Sequence, residues 1–203
     1  MKVICLTGGL ASGKSTAVKH LATKGAVVID ADILGHQAYN PGTAAFDEVI
    51  TSFGEEVRGG DGQIDRKALG GKVFGKPEAL RKLTDIVWPE IRRLAELELA
   101  AIAASNSEAI VVLEAAVLFE AGWEDIGEEI WVLTVDRETA IERSMARDKA
   151  PRDAVERRLD SQLSNEVRTS RADVVITNDE SVARMLAQID SAYAESTGSS
   201  GAR

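Results

Sequence analysis

The residues that could do chemistry begin at the sixth position. From Gly8 to Ser15 the run Gly8-Gly9-Leu10-Ala11-Ser12-Gly13-Lys14-Ser15 fits G-x-x-x-x-G-K-[ST]. Glycines let the backbone turn so that several N–H groups converge on phosphate oxygens. A helix starting at the end of the run adds the positive end of its dipole. Lys14 would neutralise the β- and γ-phosphates of a nucleotide, and the Ser15 hydroxyl would help hold Mg²⁺. Gly8, Gly9, Ala11, Ser12, Gly13, Lys14, Ser15 and Thr16 are therefore the expected ATP-binding set. A glycine-rich turn with no ligand is the plainer alternative. Its surroundings argue against it: Val3-Ile4-Cys5-Leu6 reads as a buried strand, and residues 16–22 have apolar positions at helical spacing.

Other chemistry-bearing residues follow strand-like runs. Residues 26–30 read as a strand ending in Asp30-Ala31-Asp32. Residues just past the carboxyl ends of strands line the ligand crevice of an α/β sheet. Asp32 is then a general base or orienting group for an attacking hydroxyl, or simply the N-cap of the next helix; Asp30 reads as structural. Ala109-Ile110-Val111-Val112-Leu113-Glu114 is an apolar run ending in an acid, the pattern of a strand whose carboxylate reaches Mg²⁺ or its waters. On a helix predicted over 137–148, Arg143 and Arg147 lie four apart on one face. Like charges so placed cost about 0.2–0.5 kcal/mol unless an anion, or neighbours such as Glu142 and Asp148, relieve them. A second helix from 152 bears Arg157 and Arg158, with Gln162 beyond it. It could fold over bound ATP as a lid, its arginines reading phosphate bidentately.

The elements that position these groups are strands alternating with helices. Further strands are expected at 129–135 and 172–177, and a closing helix over 181–194 with Val182, Met185, Leu186, Ile189 and Tyr193 inward. The fold class is α/β: a P-loop NTPase fold, with a five-stranded parallel sheet and helices on both faces. Residues 40–106 read as all-helical. A helix over 43–53 carries Phe46, Val49, Ile50 and Phe53 on one stripe. Another is capped by Asp65 and starts at Arg66. A third runs to about 87, where Trp88-Pro89 resets the chain into a last helix to 105. This reads as a helical lobe for an acceptor substrate, in which Arg66 and Lys67 face either an anion or solvent. The expected division is a nucleotide core of 1–39, 107–141 and 171–195, the lobe at 40–106, a lid at 142–170 and a disordered tail at 196–203.

The 203 residues suit one such domain, and 44% hydrophobic content supports a core. A net charge of −9 argues against general nucleic-acid binding. Cys5 is the only cysteine, so no disulfide framework exists and a reducing compartment is expected. With no leader-like start and no apolar run of membrane-spanning length, the expectation is a cytoplasmic protein without membrane contact, a monomer or weak oligomer.

Taken as an ordered set, these pieces resemble dephospho-coenzyme A kinases from Lys2 to about Glu195. They are the P-loop, Val28-Ile29-Asp30-Ala31-Asp32, Pro41-Gly42, Asp61-Gly62 with Ile64-Asp65-Arg66, Leu118-Phe119-Glu120, Glu142-Arg143 with Ala146-Arg147-Asp148, Arg158-Leu159 with Gln162, and Ala172-Asp173 before Ile176 and Asn178. Leu69–Gly75, Leu83–Pro89 and Glu114–Trp123 look most like the kinase domain of the bifunctional CoA synthase of animals. Two departures stand out: Trp88-Pro89 replaces the His-Pro of many bacterial members, and Glu114 stands where Asp is usual. The resemblance implies phosphoryl transfer from ATP to the ribose 3′-hydroxyl of dephospho-CoA. Lys14, Asp32, Arg143 and Arg147 would then be catalytic. Asp32, Arg66, Trp88 and Glu120 would face the acceptor, Ser15 and Glu114 the Mg²⁺, and Asn178 the adenine of ATP. Another P-loop small-molecule or nucleoside-monophosphate kinase is the nearest rival, and a non-catalytic ATP-binding module a more distant one.

Overall fold

The computed structural model describes residues 1–198. Five strands form one sheet: β1 (Lys2–Gly8), β2 (Val27–Asp30), β3 (Ile110–Glu114), β4 (Glu129–Thr134) and β5 (Val174–Thr177), in the order β2-β3-β1-β4-β5. β1 runs parallel to both β3 and β4, and β4 to β5. Strand β1 is thus central and flanked on both edges, which explains its continuous apolar sequence. Its register sets Leu6 beside Glu114 and Gly8 beside Leu133.

The helices are α1 (Lys14–Thr23), α2 (Ala31–Ala38), α3 (Ala44–Phe53), α4 (Arg66–Val73), α5 (Pro77–Ser105), α6 (Arg137–Asp148), α7 (Arg152–Asp160), α8 (Asn165–Thr169) and α9 (Val182–Ser196). The chain divides into two compact units, Asp30–Ala101 and the residues on either side of it. In the flanking unit, Ile4, Leu6, Leu21, Val112, Trp131, Leu133, Ile176, Met185 and Ile189 make one core from strands β1, β3, β4 and β5 and helices α1 and α9. Burial of such aliphatic side chains stabilises by about 1.5–3 kcal/mol each. Cys5 lies within this central strand and is fully buried, which pushes its thiol up to about 12. Gly127 must stay small beside it, because a Cβ there would meet the Cys5 sulfur at 2.8 Å.

In the unit of residues 30–101, α3 buries Phe46, Val49, Ile50 and Phe53 as its periodicity predicts. Among the described residues of 40–106 the only extended pairing is an isolated antiparallel bridge, Arg58 with Ile64. The expected break at Trp88-Pro89 does not occur. Helix α5 is continuous with Pro89 inside it. A proline within a helix costs about 3 kcal/mol. Here Val87, Ile91, Ala95 and Leu99, four apart and all buried, continue one apolar stripe through the proline.

Helix α9 extends two residues beyond its expected end, to Ser196. Met185 and Ile189 are buried as expected, and Leu186 and Tyr193 pack partly against the core. Val182, expected inward, is 52% exposed, because it begins the first turn. Of the expected tail, Thr197 and Gly198 form a turn and residues 199–203 lie outside the described residues.

Candidate active site

The glycine run joins β1 to α1 directly. Gly8 leaves the sheet where a Cβ would strike the Leu133 carbonyl at 2.4 Å and the Ser12 hydroxyl at 2.7 Å. Gly13 sits at the N-cap of α1 with φ of 99°, a left-handed conformation suited to glycine. A Cβ there would also meet the Asn178 amide nitrogen at 2.5 Å. No side chain caps α1, and no acid occupies its first turn. The first N–H groups of a helix have no intrahelical acceptor, so this end is left to receive an anion. The loop itself is held by local bonds: Ser12 N–H donates to the Gly9 carbonyl at 3.3 Å, and the Thr16 and Ala17 N–H groups to that of Gly13 at 3.0 Å.

Lys14 Nζ donates to the carbonyls of Gly8 at 2.8 Å and Gly9 at 3.2 Å. Ser15 and Thr16 are exposed. Residues Ala11 to Thr16 line a cleft of about 310 Å³ together with Arg143 and Arg147. Sequence spacing and structure therefore agree in bringing the two arginines to the loop. Their partners differ. Arg143 Nη1 donates to the Asn178 carbonyl at 2.9 Å. Arg147 forms a two-pronged pair with Asp148, at 2.7 and 2.9 Å. That pair, joined by Arg158 at 3.1 Å, holds the Asp148 carboxyl down at about 2.

Asn178 lies behind the loop. It is buried, and its amide nitrogen donates to the Ser12 carbonyl at 2.9 Å. Its side chain thus ties the segment after β5 to the P-loop. Thr7 Oγ1, Ser12 Oγ and Asn178 Oδ1 are buried in the same neighbourhood without a hydrogen-bond partner. Orphaned groups clustered beneath an anion cradle are the kind that a bound ligand or water completes.

The cap of α2 separates the two candidate aspartates. Asp30 Oδ1 accepts from the N–H groups of Asp32, at 2.8 Å, and Ile33, at 3.2 Å. The structural role is thus Asp30's, and capping is removed as an account of Asp32. The Asp32 carboxylate is exposed and accepts no hydrogen bond among the described residues. Glu114 ends β3, half-buried, beside Leu6 of β1. In the unit of residues 30–101, Asp65 caps α4 by accepting from the Lys67 and Ala68 N–H groups. Arg66 and Lys67 are exposed and line a cleft of about 400 Å³ with His36, Tyr39 and Asn40. Trp88 is half-buried on α5.

The expected lid residues find protein partners. Arg157 pairs with Asp153 at 2.7 Å. Gln162 Oε1 accepts from the Leu10 N–H at 3.0 Å, inside the P-loop. Leu10, Ile141 and Val155 form a small buried cluster that joins α6 and α7 to the loop. One residue escaped the sequence pattern. Arg168 on α8 is 3% exposed, its Nη2 lies 3.9 Å from Glu120, and burial pulls its pKa down. A second glycine is not required after Gly8 by the motif, and Gly9 was the available hint. A Cβ on Gly9 would lie 3.3 Å from Arg168 Nη1.

The model of the dephospho-CoA kinase family matches residues 2–184. The chain is 45% identical over 195 residues to a dephospho-CoA kinase of Geobacter sulfurreducens, covering 96% of this chain and 98% of the relative. Among solved structures, a Thermus thermophilus protein is similar with a TM-score of 0.81 and 33% identity, covering 96% of this chain and 97% of its own. A dephospho-CoA kinase from Campylobacter jejuni follows at 0.74 and 27% identity, with 98% of both chains covered. The α/β fold with its uncapped glycine loop and these matches agree: the chain belongs to the dephospho-CoA kinase family.

Proposed function

We propose that the chain moves the γ-phosphoryl group of ATP onto the ribose 3′-hydroxyl of dephospho-CoA, giving CoA and ADP. Family membership and the phosphate cradle support this reading, and the cradle carries it. An uncapped helix start, a glycine in the left-handed region, Lys14 and Arg143 converge on one cleft. Phosphoryl transfer asks the protein for positioning and charge neutralisation rather than covalent work. The loop N–H groups bind the donor phosphates. Lys14 exchanges the Gly8 and Gly9 carbonyls for phosphate oxygens. Arg143 and Arg147 stabilise charge on the moving group, which for Arg147 requires release from Asp148. Asp32 orients the 3′-hydroxyl or takes its proton.

Ser15 and Glu114 offer hard oxygen donors. So small a protein set suits Mg²⁺, which keeps most of its shell as phosphate and water. The ion would supply charge neutralisation on the phosphates.

The cleft around Arg66 supports residues 40–106 as the acceptor lobe, with Arg66 and Trp88 facing dephospho-CoA. Glu120 is assigned to the same substrate. Segment 142–170 acts as the lid that excludes water. Asn178 serves ATP through the loop. No helix among the described residues is long and apolar enough to cross a membrane. The charge of −9 argues against nucleic-acid binding, and the family reading carries a cytoplasmic enzyme that is monomeric or weakly associating. The finer likeness to the animal CoA synthase kinase domain rests on three short stretches, whereas the relatives compared are bacterial.

The test is ADP release with dephospho-CoA set against AMP, CMP, shikimate and pantothenate, with phosphorus NMR locating the new phosphate. Turnover confined to dephospho-CoA, with phosphate at the 3′ position, is expected. Faster turnover of any other acceptor would overturn the assignment.

A further inference from the structure

Arg168 is a buried cation with a poor set of partners. Nη1 donates to the Leu163 carbonyl, Nη2 stands 3.9 Å from the carboxylate of Glu120, whose side chain is 28% exposed, and Nε has none. Taking a guanidinium out of water is costly unless its donors are met, and a space-filling need alone is better served by leucine or methionine. The guanidinium lies against Gly9, close enough that a methyl group there would stand 3.3 Å from Nη1 and one of the two would have to give by a few tenths of an ångström. Six residues earlier, Gln162 accepts from Leu10. Both side chains line a cavity of about 230 Å³ together with Gly9 and Leu10 of the P-loop.

We infer that Arg168 is a positioning residue for the phosphate-binding loop: with Gln162 it braces Gly9–Leu10 in the shape that receives the phosphates of ATP. It acts through Gly9 and touches no substrate. This rests on the reading of the loop as the ATP site. The geometry names its own test, because removing the guanidinium vacates the space that a methyl group on Gly9 would need.

The experiment is a double-mutant cycle on KM for ATP, with ATP affinity by calorimetry and melting temperature followed alongside. Arg168→Ala and Gly9→Ala should each raise KM for ATP by about tenfold, leaving KM for dephospho-CoA within about twofold. The double variant should be no worse than Arg168→Ala alone. Arg168→Lys, which keeps charge but loses the planar fork, should recover part of the ATP affinity. Additive effects, or a lowered melting temperature with unchanged ATP affinity, would reduce Arg168 to a structural group and overturn the inference. If Arg168→Ala does not fold, Gly9→Ala and Arg168→Lys decide it: wild-type ATP affinity in both overturns it. Lys14→Ala in the same assay keeps the two levels apart. If it alone weakens ATP, only this inference fails. If it too leaves ATP binding untouched, the underlying site assignment fails.

Discussion

The side-chain amide of Asn178 donates to the Ser12 carbonyl at 2.9 Å, tying the segment after β5 to the phosphate loop. The Asn178 main-chain carbonyl meanwhile accepts from Arg143. Asn178→Ala keeps the second contact and removes the first, leaving a buried carbonyl unpaired. A loss of about 1–3 kcal/mol in urea unfolding is expected. ATP affinity should weaken as well. Asn178→Asp should be worse, because a carboxylate would then face the same carbonyl. Equal stability of wild type and Asn178→Asp would remove this role.

Lys14 offers the sharpest test of the cleft. Lys14→Ala should lower kcat on the order of 10²–10³-fold, the usual loss for one electrostatic donor at a developing charge. Its folded circular dichroism spectrum should be kept. Near-normal turnover would show that the loop does not hold the reacting phosphates.

Asp30 and Asp32 should part company under mutation. Asp30→Ala removes the α2 cap and should cost about 1 kcal/mol of stability, with kcat little changed. Asp32→Asn should leave the melting temperature alone and lower kcat on the order of 10²–10⁴-fold, the range of a positioned acid–base group. ATP affinity should be unaffected. The reverse pattern would make Asp32 structural.

Asp148 predicts a pH response. Its hydrogen bonds from Arg147, seconded by Arg158, hold its carboxyl at about 2. A carboxylate depressed in the folded state contributes stability above its unfolded value of about 3.9. That contribution fades as pH falls through the folded value. Carbon NMR of the Asp148 carboxyl should therefore show a midpoint near 2. Replacing Arg147 and Arg158 together with alanine should carry it toward about 3.9. A midpoint that ignores both replacements would mean the pair does not persist in solution.

The loop was legible because backbone demands at Gly8 and Gly13 leave few residue types, and because an apolar strand and a helix must flank it. The run 110–114 was legible for a related reason: a strand buried on both faces is apolar throughout. Pro89 reads locally as a break because it removes one hydrogen bond; the stripe of Val87, Ile91, Ala95 and Leu99, invisible to that local count, outweighs it. Asp30 reads as structural in sequence, but Asp32 keeps two readings there, since an aspartate at either position can cap and only the hydrogen bonds say which does. Arg168 was hidden by inverted hydropathy. In a short polar helix, Val167 is 41% exposed while the arginine beside it is buried. Periodicity assigns such a residue to the surface.

The single cysteine of this chain lies in the central strand that feeds the phosphate loop, with a thiol pushed up to about 12. It is therefore a natural clock for breathing of the sheet. An alkylating reagent meets almost no thiolate while the strand is seated, and an ordinary thiol once it is not. The labelling rate thus reads out how often the strand under the loop comes free. Saturating nucleotide should slow that rate in proportion to the affinity of the cradle above it.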